Sequence, residues 1–214
     1  MSSPGCIQET GIPHGVAGQP RLIAVVPAKR NSKRCEQKNW KDFTRDRQSL
    51  AEIAVDKAVG SGFFNKTVLS IDFPKKDVTF LNLQTRYPPM RIGLVVKRRS
   101  IWLADDSVAV ALDALDCVKA TDDDIYCLLQ PTSPFVGKES IWNALQSVMA
   151  NRQPVVSVNP MFKPSGGIYA GLVGNLRKYG SFYAPLVMPL QLDWRESIDI
   201  DYPYDFEIAR GLYE

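Results

Sequence analysis

Two groups of residues in this chain have the types and spacing to do chemistry. Lys29, Arg30, Lys33, Arg34 and Lys38 bring five positive charges into ten positions, with Asn31, Ser32 and Asn39 as small hydrogen-bonding groups around them. Such a stretch can hold a polyanion, because ammonium and guanidinium groups supply charge while hydroxyls and amides supply short-range donors. Charge runs also serve as solvated faces or nucleic-acid patches, and charge by itself leaves those readings open. Near the other end, Asp199 and Asp201 flank Ile200. On an extended segment both carboxylates project to one side. Two hard oxygen donors so placed suit Mg2+, which takes one or two carboxylates together with substrate phosphates. The plainer alternative is that Asp201 caps the turn begun by Pro203.

The cationic stretch needs a stiff support. Leu22 to Val26, with Ala28, has the aliphatic and β-branched character of a strand buried on both faces, stopping at Pro27. A loop at the carboxyl end of a central strand is where open α/β sheets hold phosphates. Downstream, Gln48 to Val59 has helical spacing, with Leu50, Ile53, Ala54 and Ala58 on one face and Gly60 and Gly62 as stops. Lys66 to Ile71 reads as a strand, Arg91 to Lys97 as another, and Ala104 to Val118 as a helix. No element is assigned to Phe73 to Met90, which holds Pro74, Pro88 and Pro89. Ile125 to Gln130 is a strand ended by Pro131-Thr132-Ser133-Pro134, since each proline removes a donor and restricts its predecessor.

Lys138 to Ala150 is helical by pattern, Val155 to Val158 is a strand, and NPMFKPSGG reads as a connection to Ile168-Tyr169-Ala170. A short basic helix near Leu172 to Tyr179, a strand at Phe182 to Met188 and a helix from Pro203 to Tyr213 complete the chain. Strands alternating with helices predict an α/β fold with a mostly parallel sheet covered on both faces. Residues 1–20 are expected to form a loose extension and 21–214 a single domain.

Composition sets bounds on function. A chain of 214 residues can bury roughly 70% of its unfolded surface. The net charge of +3 is too small to imply nucleic acid as the partner. His14, the only histidine, falls in the extension, so a histidine base in the core is excluded. Cys6, Cys35, Cys117 and Cys127 lack the spacing of a zinc site, and reduced thiols in a cytoplasm are expected. No apolar run approaches the ~20 residues of a membrane span, and the start lacks the pattern of a signal peptide.

The string P-A-K-R-N-S-K-R-x-x-x-K-N, from Pro27 to Asn39, resembles the phosphate-binding signature of the acylneuraminate cytidylyltransferase family, usually A-R-x-[GN]-S-K-x-x-x-x-K-N. Three further strings follow in the family's order: Arg99 with Leu103-Ala104 and Asp106, LLQPTSP at Leu128 to Pro134, and SIDIDYPYDFEIA at Ser197 to Ala209. The resemblance implies a three-layer, Rossmann-like fold of the nucleotide-diphospho-sugar transferase type. It also implies transfer of CMP from CTP to a 2-keto-3-deoxy sugar acid, sialic acid or a related nonulosonic acid, with Mg2+ as cofactor and neither nucleic acid nor membrane as partner. It assigns Lys29, Asn31, Ser32, Lys33, Asn39 and Arg99 to the nucleotide, Lys38 and Asp201 to catalysis, and Asp199 with Asp201 to the metal. Gln130, Lys163, Ser165, Tyr169, Phe182 and Tyr183 fall to the acceptor sugar.

This chain departs from the family in three places. Lys29 replaces an arginine, exchanging a bidentate fork for a point charge. Ser107-Val108-Ala109-Val110 departs from a Ser-, Thr- and Ala-rich pattern, with loss of a base or ribose contact as the expectation. Between Val158 and Lys163 an arm of a few dozen residues is missing, so a homodimer would need a non-standard interface. The sugar carboxylate would then need Lys163, Arg177 or Lys178 as its cation. The alternatives are a catalytically impaired nucleotide-binding homologue with a regulatory or assembly role, and a basic-loop module for nucleic acid.

Overall fold

In the computed structural model, which describes residues 19–30, 32–73, 93–99 and 106–213, β1 (Leu22–Ala28) lies between β2 (Lys66–Ile71) and β4 (Ile125–Leu129) and runs parallel to both. Among the described residues the sheet has seven strands in the order β3-β2-β1-β4-β6-β5-β7, with β3 at Leu94–Arg98, β5 at Val155–Val158, β6 at Pro164–Leu172 and β7 at Met188–Gln191. Only β6 is antiparallel to its neighbours, β4 and β5. The expected mostly parallel sheet is therefore what forms.

Alternation along β1 sorts the core into two layers. Ala24, Val26 and Ala28 face one side, where they pack with α1 (Leu50–Ser61) and α3 (Lys138–Asn151) through Ala51, Val55, Ile141 and Leu145. Ile23 and Val25 face the other, against α2 (Ser107–Cys117) and α4 (Val173–Tyr179) through Ala111, Leu115, Val173 and Leu176. Each large aliphatic residue so buried contributes about 1.5–3 kcal/mol. A third, smaller cluster joins Cys35, Phe43, Leu50 and Ile53 to Ile200, Phe206 and Ala209, the last two on α5 (Pro203–Tyr213). Phe43 and Phe206 meet edge-to-face there, with centroids 5.2 Å apart.

Local sequence explains the element ends. Ser49 and Glu52 form a reciprocal capping box at the start of α1, a cap worth about 1 kcal/mol. Asp106 caps α2 by accepting from the backbone N–H groups of Val108 and Ala109. β1 continues through Pro27, in register with Ser70, because a proline at the last turn of the ladder forfeits a single donor.

Three expectations need correction. Pro164 to Gly167, read as part of a connection, belongs to β6, because Asn159 folds the chain back: its side-chain oxygen accepts from the N–H groups of Met161 and Lys163. The last strand is Met188–Gln191 rather than Phe182 to Met188; it pairs with β5 at the sheet edge, where Pro189 is tolerated. Cys35 and Cys127 are free and buried, but Cys117 is disulfide-bonded, which corrects the expectation of four reduced thiols. Residues 1–18 of the expected extension, Asn31, most of Phe73 to Met90 and Leu103-Ala104 lie outside the described residues. Among those described, no helix is long and apolar enough to cross a membrane.

Candidate functional site

A cleft of about 550 Å3 opens at the carboxyl ends of β1 and β4, with the start of β6 and the Asp199–Asp201 segment across from them. Lys29, Ser32, Lys33, Lys38, Asn39, Arg99, Gln130, Ser165, Tyr169, Asp199 and Asp201 all line it. The loop after β1 therefore meets the late aspartates in one place, as the two chemical groups in the sequence require.

The joint between them is Lys38. This lysine is 6% exposed, and its Nζ donates to the Ile200 carbonyl at 2.5 Å and lies 3.3 Å from Asp201 Oδ1. A buried ammonium held by a backbone carbonyl and a carboxylate is a fixed positive charge in the cleft wall. Asp201 is also met by Arg34, whose Nη1 is 2.9 Å from Oδ2. A hydrogen bond to Tyr202, and after it the charge of Asp201, raises the affinity of Arg34 for its proton.

Asp199 is open to the cleft yet surrounded by enough protein that desolvation pushes its carboxyl above the usual range. Asp201 adds to the rise as a like charge, while a hydrogen bond with Thr132 and the charges of Lys38 and Arg34 oppose it. The segment is pinned by Ile200 N–H donating to the Thr132 carbonyl at 2.9 Å. Behind it stands Gly166, at φ +80°, where a Cβ would sit 3.6 Å from Asp199 Oδ2. That left-handed backbone favours glycine, while a Cβ there would make only ordinary contact with the carboxylate.

Asn39 and Arg99 form the deeper wall. Asn39 Nδ2 donates to the Lys29 carbonyl at 3.1 Å, leaving Oδ1 buried and without a partner among the described residues. Arg99 Nη1 donates to the Ser70 carbonyl and hydroxyl at 3.2 and 3.3 Å, and its Nε is likewise buried and unsatisfied. Burial lowers the proton affinity of this guanidinium, against the charges of Asp72 and Asp113. An unsatisfied acceptor and an unsatisfied donor each cost about 1–3 kcal/mol, which a ligand edge of complementary polarity would offset.

The residues expected to face the acceptor sugar are placed unevenly. Ser165 lines the cleft but its hydroxyl donates to Ser157 at 2.7 Å. Tyr169 presents a hydroxyl whose proton is held tightly by burial and by a hydrogen bond with Tyr183. Phe182 is core rather than ligand platform: it is 6% exposed and packs on Tyr126 and Tyr169, with centroids 6.0 and 4.8 Å away. Tyr183 stands beyond Tyr169, 46% exposed and outside the cleft lining.

The three cations expected near the sugar carboxylate are also elsewhere. Lys163 is exposed at the β5–β6 turn, Arg177 pairs with Asp116 and Asp122 at 2.7 and 2.6 Å, and Lys178 lies over the Tyr179 ring. Sequence reasoning missed Thr132, Gly166 and the partnership of Arg34 with Asp201. The S-K-R string named Arg34 as a charge but could not name its partner.

Comparison with known proteins gives a consistent picture. A profile described as cytidylyltransferase matches residues 23–173. The chain is 28% identical to CMP-N,N'-diacetyllegionaminic acid synthase of Legionella pneumophila, covering 91% of this chain and 97% of that protein. It is 27% identical to pseudaminic acid cytidylyltransferase of Campylobacter jejuni, covering 61% of this chain and 54% of that protein. The solved structure of CMP:2-keto-3-deoxy-manno-octonic acid synthetase complexed with CTP is similar in fold, with a TM-score of 0.66 at 14% identity over 90% of this chain and 98% of that one.

Proposed function

Because this chain belongs to the cytidylyltransferase family, we propose that it transfers CMP from CTP to a nonulosonic or related 2-keto-3-deoxy sugar acid and releases pyrophosphate. The observation that carries this reading is the convergence of Lys29, Ser32, Lys33 and Lys38 with Asp199 and Asp201 in one cleft. A sugar hydroxyl attacks the α-phosphorus, the bond to the β-phosphate oxygen breaks, and negative charge moves onto the leaving pyrophosphate. Catalysis of such a step is mostly positioning and charge stabilisation. Lys29, Ser32 and Lys33 hold the polyphosphate. Lys38, fixed by Ile200 and Asp201, places its charge without reorganising. The unsatisfied Asn39 Oδ1 and Arg99 Nε match the amine donor and the carbonyl or ring-nitrogen acceptors of a cytosine edge.

The donor set fits Mg2+. Two carboxylates share the cleft with the phosphate-holding cations, and among the described residues no larger His, Cys, Asp or Glu cluster gathers that would suit a softer or fully caged ion. Asp199 and Asp201 would hold it, and the bound ion would neutralise phosphate charge. Thr132 orients Asp199 for that task.

The reading places the protein in the cytoplasm, where CTP is made, without nucleic acid or membrane as partner. Any homodimer would use a surface other than a β5–β6 arm, since that turn is only Asn159 to Lys163. One observation favours the second reading, a nucleotide-binding homologue impaired in transfer: Lys163, Arg177 and Lys178 all lie off the cleft lining. A pyrophosphate-release assay with CTP, Mg2+ and a panel of sialic, legionaminic and pseudaminic acids separates the two. Release with at least one acid is expected; tight CTP binding with no release for any acid would leave the second reading standing.

A further inference from the structure

Asp201 is shared by two cations of unlike freedom. Lys38 is buried and tied to the Ile200 carbonyl, so it cannot leave the site. The Arg34 side chain is 55% exposed and is held by Asp201 Oδ2 and by Tyr202, whose ring centroid lies 5.5 Å from the guanidinium carbon. Both cations line the cleft. Oδ1 of Asp201 faces Lys38 and Oδ2 faces Arg34, so a divalent ion arriving at Asp201 must compete for the oxygen that Arg34 holds. Exposed ion pairs are weak and are readily exchanged for a doubly charged partner.

We propose that Arg34 is a displaceable counter-ion: it holds Asp201 Oδ2 until a divalent ion takes that oxygen, and then transfers its guanidinium to the phosphates. This rests on the assignment of Asp201 as a metal ligand. Tyr202 keeps the guanidinium beside the site during the exchange, because its ring contact does not depend on Asp201. Once released, the planar fork meets phosphate oxygens in the bidentate geometry that the lysine at position 29 cannot supply. Arg34 thereby acts twice, shielding a carboxylate pair that would repel when empty and adding a donor to the phosphates when loaded.

Binding of Mn2+, a paramagnetic stand-in, is measured by electron paramagnetic resonance without nucleotide for the wild type, Arg34→Gln, Arg34→Lys and Asp201→Asn. Arg34→Gln should bind Mn2+ about fivefold more tightly, since one competing charge at contact distance is gone. The KM for CTP should rise about tenfold in the same variant. Arg34→Lys should restore the weaker Mn2+ binding but not the KM. Unchanged or weaker Mn2+ affinity in Arg34→Gln, with binding lost in Asp201→Asn, would overturn the proposal while leaving the metal assignment intact. Full Mn2+ binding by Asp201→Asn would overturn the assignment itself.

Discussion

The loop after β1, which walls the cleft, and the β5–β6 turn beside it hold their side chains in different ways. On the first, Cys35, Lys38 and Asn39 are buried, so the loop is fixed in the protein at three points just after its exposed cations Arg30, Lys33 and Arg34. On the second, Met161 is 75% exposed and Phe162 65%, and Lys163 and Pro164 beside them are exposed as well. The difference teaches where rigidity is needed. On the proposed function, phosphate positions are common to every turnover and reward fixed charges; beside the exposed turn, Tyr169 is braced from behind by Phe182.

The largest effect is expected on the rigid side. Asp201→Asn should lower pyrophosphate release by about 10²- to 10³-fold, because metal-assisted charge stabilisation is worth several kcal/mol, with the melting temperature little changed. Undiminished release would break the contrast by ruling out the proposed metal role of Asp201. Next is Phe182→Ala, which should cost about 3–5 kcal/mol in denaturant unfolding as a core truncation, whereas Lys163→Ala should change stability by less than about 0.5 kcal/mol. A tenfold rise in acceptor KM for Lys163→Ala would show instead that the hairpin reaches into the site.

Asn39→Ala should weaken CTP binding by about tenfold in calorimetry, the worth of one good hydrogen bond, and should narrow the preference for CTP over UTP. An equal loss for both nucleotides would assign Asn39 to loop structure rather than to the base.

The smallest effect concerns a buried lysine away from the cleft lining. Lys57 on α1 donates to the Pro134 carbonyl and, by burial, is pushed down to about 8, against the attraction of Glu196. Its folded pKa lies below its unfolded one, so the folded state loses this proton first and stability rises with pH from about 8 toward 10.5. Between pH 8 and 9 the gain is about 1 kcal/mol. Thermal melts across that range should show it in the wild type and lack it in Lys57→Met; the same slope in both would exclude Lys57 as its source.

What could be read from the sequence followed the range of the interactions. Lys29, Ser32, Lys33, Lys38 and Asn39 were legible because one short loop carries them, and Asp199 and Asp201 because alternation along an extended segment fixes their common side. The parallel core was legible because β1, β2 and β4 are short aliphatic runs between helices of helical period. Phe182 was not, since an aromatic residue reads alike as core or as ligand platform until Tyr126 and Tyr169 are seen to cover it. Arg34 was visible as a charge and Thr132 as part of a proline-rich turn, but their functions depend on contacts with a segment far along the chain. β6 was shortened because its proline and glycines argue against a strand, and the antiparallel pairing that overrides them is tertiary.

The small cluster of Cys35, Phe43, Ile200 and Phe206 ties the phosphate loop and the aspartate segment to one wedge of packed rings under α5. A chelate has a fixed bite: the gap between its anionic anchor and its cationic anchor tolerates little error, since misplacement of about 1 Å can cost a hundredfold in rate. On the proposed function, a bulkier residue in place of Ala209, which is buried on that wedge, is expected to slow catalysis by widening the bite.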